Sequence, residues 1–181
     1  MGWEKNMVEI QEILFDEQTL ARKVKELADG ISRDYAGKDL LLVSILKGAV
    51  VFTADLMRRL SISVTVDFIC ASSYSMSTAS SRKINIKKDL DTDINGKHVL
   101  LVDTIIDTGE TLDFLMKMLS ERKPASLKAV TLLDKKSRRI VDVQIAYRGF
   151  EIPDKFVVGY GLDCAQQYRN LPYIATVKDT E

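Results

Sequence analysis

Two short runs, Asp39 to Leu46 (DLLLVSIL) and His98 to Val102 (HVLLV), are apolar at nearly every position. A run without polar alternation has no side to turn to water, so it fits a strand covered on both faces. Each is followed by a different periodicity. Phe52, Leu56 and Leu60 recur at helical spacing after the first, and Leu112, Leu115, Met116 and Leu119 after the second. Further upstream, Leu20, Val24, Leu27 and Ile31 make another helical stripe, with Asp16 placed as its N-cap. Segments 62–71, 126–133 and 155–162 read as additional strands. Strands apolar on both faces and separated by helices imply an α/β fold, a mainly parallel twisted sheet with helices on both faces. With no repeat, linker or break in composition, the 181 residues are expected to form one domain over 1–181. Residues 1–7 read as a loosely held tail, within which Met7 is an alternative start, and the polar segment 72–83 as a mobile loop.

Composition removes several classes of function. Twenty-six basic and 26 acidic side chains leave no net charge, and no basic stripe with interleaved aromatics offers itself to nucleic acid or an anionic membrane. Apolar runs fall far short of the roughly 20 residues of a membrane span, and MGWEKNMVEI has no apolar h-region, so a cytoplasmic protein is expected. Cys70 and Cys164 are too few for a disulfide framework and are expected to be reduced and non-catalytic. His98, opening a strand, reads as structural. An anionic ligand therefore has to be held by a local site.

Such a site is legible after the second apolar run. Asp103 and Thr104 are expected at the strand's carboxyl tip, and Gly109 just ahead of a helix starting near Thr111. Ligands of parallel α/β sheets bind beyond the carboxyl ends of strands, and the free N–H groups of a helix's first turn favour a phosphate. Thr108 and Thr111 add hydroxyl donors, and glycine allows close backbone approach. The pattern is neither a Walker loop nor Gly-x-Gly-x-x-Gly. A plain capped βα turn fits the same residues.

The longer stretch VLLVDTIIDTGETL (99–112) resembles the phosphoribosyl-pyrophosphate signature of type I phosphoribosyltransferases, in the version of the hypoxanthine-guanine phosphoribosyltransferases. LKGA (46–49), SSY (72–74), KKDLDTDINGKHVLLVD, LLDKKSRR, IPDKFVVGYGLD and YRNLPYI are similar to other segments of that family, in the same order, from about Val8 to Val177. The resemblance implies a hood built from terminal segments beside the main sheet. It also implies transfer of phosphoribosyl from phosphoribosyl pyrophosphate to hypoxanthine or guanine, releasing pyrophosphate, with Mg2+ as cofactor in a homodimer or homotetramer.

Roles follow by matching position. Asp107 would be the general base that takes the purine N7 proton, and Asp107, Thr108, Gly109, Glu110 and Thr111 would cradle the 5′-phosphate. Asp103 and Thr104 would bind the ribose hydroxyls. Lys47, Gly48, Arg169, Ser73 and Tyr74 would bind pyrophosphate, the last two from a lid over 72–83. Lys135, Phe156, Val157 and Asp163 would hold the purine, and Asp163 and Asp103 the metal. Each also has a plainer reading: Lys47 as a turn lysine, Lys135 within a solvated charge run, Phe156 as core, Asp163 and Arg169 as a surface ion pair. Departures from the family pattern are Thr104 where a second acid is usual, Ala49 for a glycine, Cys164 for an aromatic, and a lid without glycines. They keep open a regulator that binds the same ligands without catalysis, and a xanthine-preferring enzyme.

Overall fold

The computed structural model describes residues 9–74 and 83–178. Its main sheet contains β2 (Leu40–Leu46), β3 (Val64–Tyr74), β4 (Lys83–Lys88), β5 (His98–Ile106), β6 (Ser126–Asp134) and β7 (Tyr147–Glu151), in the order β4-β3-β2-β5-β6-β7. All neighbours are parallel except β3 and β4, which pair antiparallel. A second, three-stranded antiparallel sheet joins β1 (Ile10–Phe15), β9 (Ile174–Val177) and β8 (Val157–Val158). The terminal segments thus build the small hood.

The apolar runs are explained by two cores. Leu40, Leu42, Leu100 and Val102 face α1 (Glu17–Asp34) and α2 (Val50–Met57), packing with Leu20, Val24, Ile31, Phe52 and Leu56. Leu41, Val43, Val99 and Leu101 face the other way, toward Leu112, Leu115 and Leu119 of α3 (Glu110–Ser120). Successive strand residues point to opposite faces, so burying both faces requires every position to be apolar. Asp16 caps α1 as expected, its carboxylate accepting the Thr19 N–H at 2.7 Å. Asp67, in β3, is only 5 % exposed yet charged. It accepts N–H groups from Phe68, Asp91 and Thr92 and so ties the β4–β5 connection to the sheet.

Several expectations need correcting. Segment 155–162 contributes only the two-residue β8, and to the hood rather than the main sheet. The main sheet is completed instead by β4 and β7, neither of which the sequence pattern marks as a strand. Ser72–Tyr74 extend β3, and Lys83 opens β4, so these residues belong to an antiparallel pair; 75–82, most of the expected lid, lie outside the described residues, as does the expected tail 1–7. Cys70 and Cys164 are free thiols but only partly buried. His98 is structural, its Nδ1 2.7 Å from the Ser126 hydroxyl and its ring edge-on to Tyr35. Among the described residues no helix is long and apolar enough to cross a membrane.

Candidate active site

The strand preceding the phosphate-type turn is longer than its apolar run. Its ladder with β6 continues through Ile105 opposite Leu133 and Ile106 opposite Asp134, which puts Asp103 and Thr104 inside β5 and Asp107 first beyond its tip. Thr104 keeps the register of Leu100 and Val102 and therefore turns inward. It is 0 % exposed, and its hydroxyl donates to the Gly48 carbonyl at 3.0 Å, joining β5 to the Lys47-Gly48 turn. That hydroxyl is thus committed within the protein rather than displayed to a ligand.

Gly109, at φ +88, turns the chain into α3. A Cβ there would stand 2.5 Å from the Val141 carbonyl oxygen and 2.9 Å from Arg139 Cδ, so the close approach demands glycine. Ile140 and Val141 N–H groups donate to the Thr108 carbonyl at 2.9 and 3.0 Å, bracing the loop from behind. A cavity of about 150 Å³ is lined by Asp103, Asp107, Thr108, Gly109 and Thr111 together with neighbouring apolar residues. Glu110 opens α3, and its carboxylate accepts the Thr108 hydroxyl at 3.0 Å. Asp103 is partly buried. Loss of solvation pushes its carboxyl pKa up to about 7, against N–H groups of Thr104 and Ile105 that pull it down.

A larger cavity, about 470 Å³, lies on the other side of Asp107 between the main sheet and the hood. Asp107, Lys135, Phe156, Asp154 and Arg138 line it, with Thr176 and others from the hood. Lys135 follows directly on β6; it is 7 % exposed, and its N–H donates to the Ile106 carbonyl at 3.0 Å. Phe156, immediately before β8, is 48 % exposed and opens onto this cavity, so the core reading does not hold for it. Val157 beside it is buried and carries its backbone on the hood. Asp107 lines both cavities.

The remaining predicted cations gather around loop 159–171. Arg169 pairs with Asp163 at 2.6 Å and also donates to the Gly161 carbonyl at 2.7 Å. Gln166 links this pair to Lys47: its N–H donates to Asp163 at 2.8 Å, and its side-chain oxygen accepts from Lys47 Nζ at 3.0 Å. Gly161 makes the meeting of the two loops possible, because a Cβ there would lie 2.2 Å from the Gly48 carbonyl oxygen. Ser73 and Tyr74 end β3, opposite Ile84 and Lys83.

Sequence reading missed Gln166, Arg138, Arg139 and Asp154. Arg138 Nε is 2.9 Å from Asp107 Oδ1, and its Nη1 donates to Asp154 at 3.3 Å. These carboxylates, Asp107 first, raise the guanidinium pKa. Arg139 pairs with the fully buried Asp134, which Arg148 also meets at 2.7 Å, and donates to the Asp107 carbonyl at 3.2 Å. The only signal in the sequence was a run of like charges at 135–139, and Arg138 and Arg139 reach Asp107 from 31 and 32 positions along the chain, across the parallel pair β5 and β6.

The phosphoribosyl transferase domain model matches residues 11–165. The hypoxanthine-guanine phosphoribosyltransferase of Streptococcus pneumoniae strain R6 is 47 % identical over 171 residues, covering 94 % of this chain and 95 % of that protein. A crystal structure of a hypoxanthine-guanine phosphoribosyltransferase from Bacillus anthracis superposes with a TM-score of 0.88 at 49 % identity, covering 95 % of this chain and all of that one. A hypoxanthine phosphoribosyltransferase from Staphylococcus aureus gives a TM-score of 0.90 at 45 % identity, covering 93 % and 92 %. With a family model matched over most of its length and relatives similar in sequence and fold along almost the whole chain, this chain belongs to the phosphoribosyltransferase family, on its hypoxanthine-guanine branch.

Proposed function

We propose that this chain is a purine-salvage enzyme that transfers the phosphoribosyl group of phosphoribosyl pyrophosphate to hypoxanthine or guanine, giving a nucleoside 5′-monophosphate and pyrophosphate. The observation that carries this reading is Asp107, whose carboxylate borders both a phosphate-sized turn and an aromatic-walled cavity. Purine N9 attacks C1′ as the bond from C1′ to the pyrophosphate oxygen breaks. Pyrophosphate leaves with the bonding pair, and the N7 proton passes to Asp107. Asp107 to Thr111 take the 5′-phosphate through N–H and hydroxyl donors. Phe156 stacks on the purine, and Lys135 donates to its 6-oxo group. A cation there meets adenine's amino group with no acceptor, which discriminates against it.

Lys47, the Gly48 backbone and Arg169 offer charge and donors to pyrophosphate, with Ser73 and Tyr74 approaching from the end of β3. Asp163 and the Val157 backbone complete the purine edge. Asp103 binds a ribose hydroxyl. The buried commitment of Thr104 weakens the case for it as a second ribose ligand and supports a role in holding the Lys47-Gly48 turn. The donor set also fits magnesium. Among the described residues no group of three or more metal-binding side chains exists, and magnesium takes one or two carboxylates with the rest from phosphates and water. Asp163 and Asp103 would hold it, and it would neutralise charge on pyrophosphate. A cytoplasmic homodimer or homotetramer completes the reading, and light scattering behind size exclusion tests the assembly.

Nucleotide formation with hypoxanthine, guanine, xanthine and adenine in parallel tests the proposal. Turnover with hypoxanthine or guanine and none with adenine is expected, and Lys135→Met should narrow that gap. A preference for xanthine would reassign the purine while keeping the site. No turnover with any purine, despite binding of phosphoribosyl pyrophosphate, would overturn the reading.

A further inference from the structure

The turn after β6 brings to Asp107 a residue without a role in the scheme above. Arg138 closes the 3-10 turn Lys136–Arg138. Its Nε lies 2.9 Å from Asp107 Oδ1, and its Nη1 donates to Asp154 Oδ2 at 3.3 Å. Lys135 reaches the other oxygen of Asp154 at 3.8 Å. Along one wall of the purine-sized cavity, four charges therefore alternate in sign: Lys135, Asp154, Arg138, Asp107. Arg139 holds the same aspartate at a different point, donating from Nε to its main-chain carbonyl at 3.2 Å. One arginine fixes the backbone of Asp107 and its neighbour faces the carboxylate.

The two carboxylate oxygens of Asp107 are not equivalent. Oδ1 is buried, accepts no aligned hydrogen bond and faces Arg138 as an ion pair, while the side chain as a whole is 45 % exposed. The exposed part of the side chain is therefore not Oδ1, which leaves Oδ2 as the carboxylate oxygen open to a ligand. An aspartate's terminal torsion is broad when nothing restrains it. A guanidinium held against one oxygen narrows that torsion and leaves the other free for a proton. We propose that Arg138, steadied by Asp154, is a positioning residue that holds Asp107 Oδ1 so that Oδ2 is the oxygen accepting the purine N7 proton. This rests on the reading of Asp107 as the general base. Arg138 acts through Asp107 and not on the reacting atoms, so its loss falls on the chemical step rather than on binding.

The test is a double-mutant cycle on single-turnover nucleotide formation with hypoxanthine, phosphoribosyl pyrophosphate and magnesium. Arg138→Met, which keeps the stem and removes the guanidinium, is expected to slow the single-turnover rate about tenfold, misorientation of a catalytic group being costly. Both KM values should stay within about twofold, with Arg138→Lys recovering part of the rate. In an Asp107→Asn background, Arg138→Met is expected to change the rate by less than about twofold, because residues acting as one unit are not additive. An unchanged rate in Arg138→Met, or the same tenfold loss in both backgrounds, would overturn the proposal. If Asp107→Asn alone keeps the wild-type rate, the base reading itself fails, and that is seen with Arg138 untouched. Should Arg138→Met fold poorly, the same cycle with Arg138→Lys, which keeps a positive charge and the packing of the stem, gives the same two answers at smaller amplitude.

Discussion

At the scale of single residues, burial decides which polar groups face ligand and which serve the frame. Thr104 belongs to the frame. Thr104→Val keeps its shape and leaves the Gly48 carbonyl without its donor, which should cost about 1–2 kcal/mol in urea unfolding and raise the KM for phosphoribosyl pyrophosphate. Asp67 belongs there too. Burial would raise its carboxyl pKa, but N–H groups of Phe68 and Thr92, with Lys88 nearby, hold it below the ordinary value. A depressed folded pKa gives stability that is present above the unfolded value, about 3.9, and is lost as pH falls through the folded one. Asp67→Asn is therefore expected to be less stable than wild type at pH 7, by about 1–3 kcal/mol. The difference should shrink below about pH 4, as followed by melting temperature. An equal difference at pH 7 and pH 3 would show that the carboxylate's charge contributes nothing.

At the scale of elements, the unit β5-turn-α3 was the most legible part of the sequence, since a strand buried on both faces must be apolar throughout and a helix over it must carry a stripe. The strand's true end was not legible. Asp103 and Thr104 look like a polar stop, yet the parallel ladder with β6 carries β5 on to Ile106, and only pairing between distant segments sets that length. The edges were opaque for a related reason. Most of β1 is exposed, β4 shows a half-exposed alternation, and β8 has two residues, so none carries a core signature. Candidate ligands for phosphate were readable because loop chemistry is local, whereas Arg138, Arg139 and Gln166 act on residues that only the fold makes neighbours. The turn itself makes a prediction. Gly109→Ala forces a Cβ against the Val141 carbonyl at a left-handed φ, which costs about 1–3 kcal/mol. Expressed in the phosphate site, that should raise the KM for phosphoribosyl pyrophosphate about tenfold or more, with KM for the purine little changed.

At the scale of the whole molecule, the division of labour is between a parallel sheet that presents its carboxyl ends and a hood, made from both terminal segments, that faces them. β1 and β9 pair along Ile10 to Val177, so residues far apart in the chain close one wall over Lys135 and Asp107. Neither half has both cavities, and Asp107 lies where they meet. The central claim is that this carboxylate takes the purine proton. It is tested most directly by single-turnover nucleotide formation in wild type and Asp107→Asn with hypoxanthine at saturating phosphoribosyl pyrophosphate and magnesium. The account predicts a loss of about 10² to 10⁴ in rate with the substrates still bound; a variant that turns over within a few-fold of wild type would contradict it.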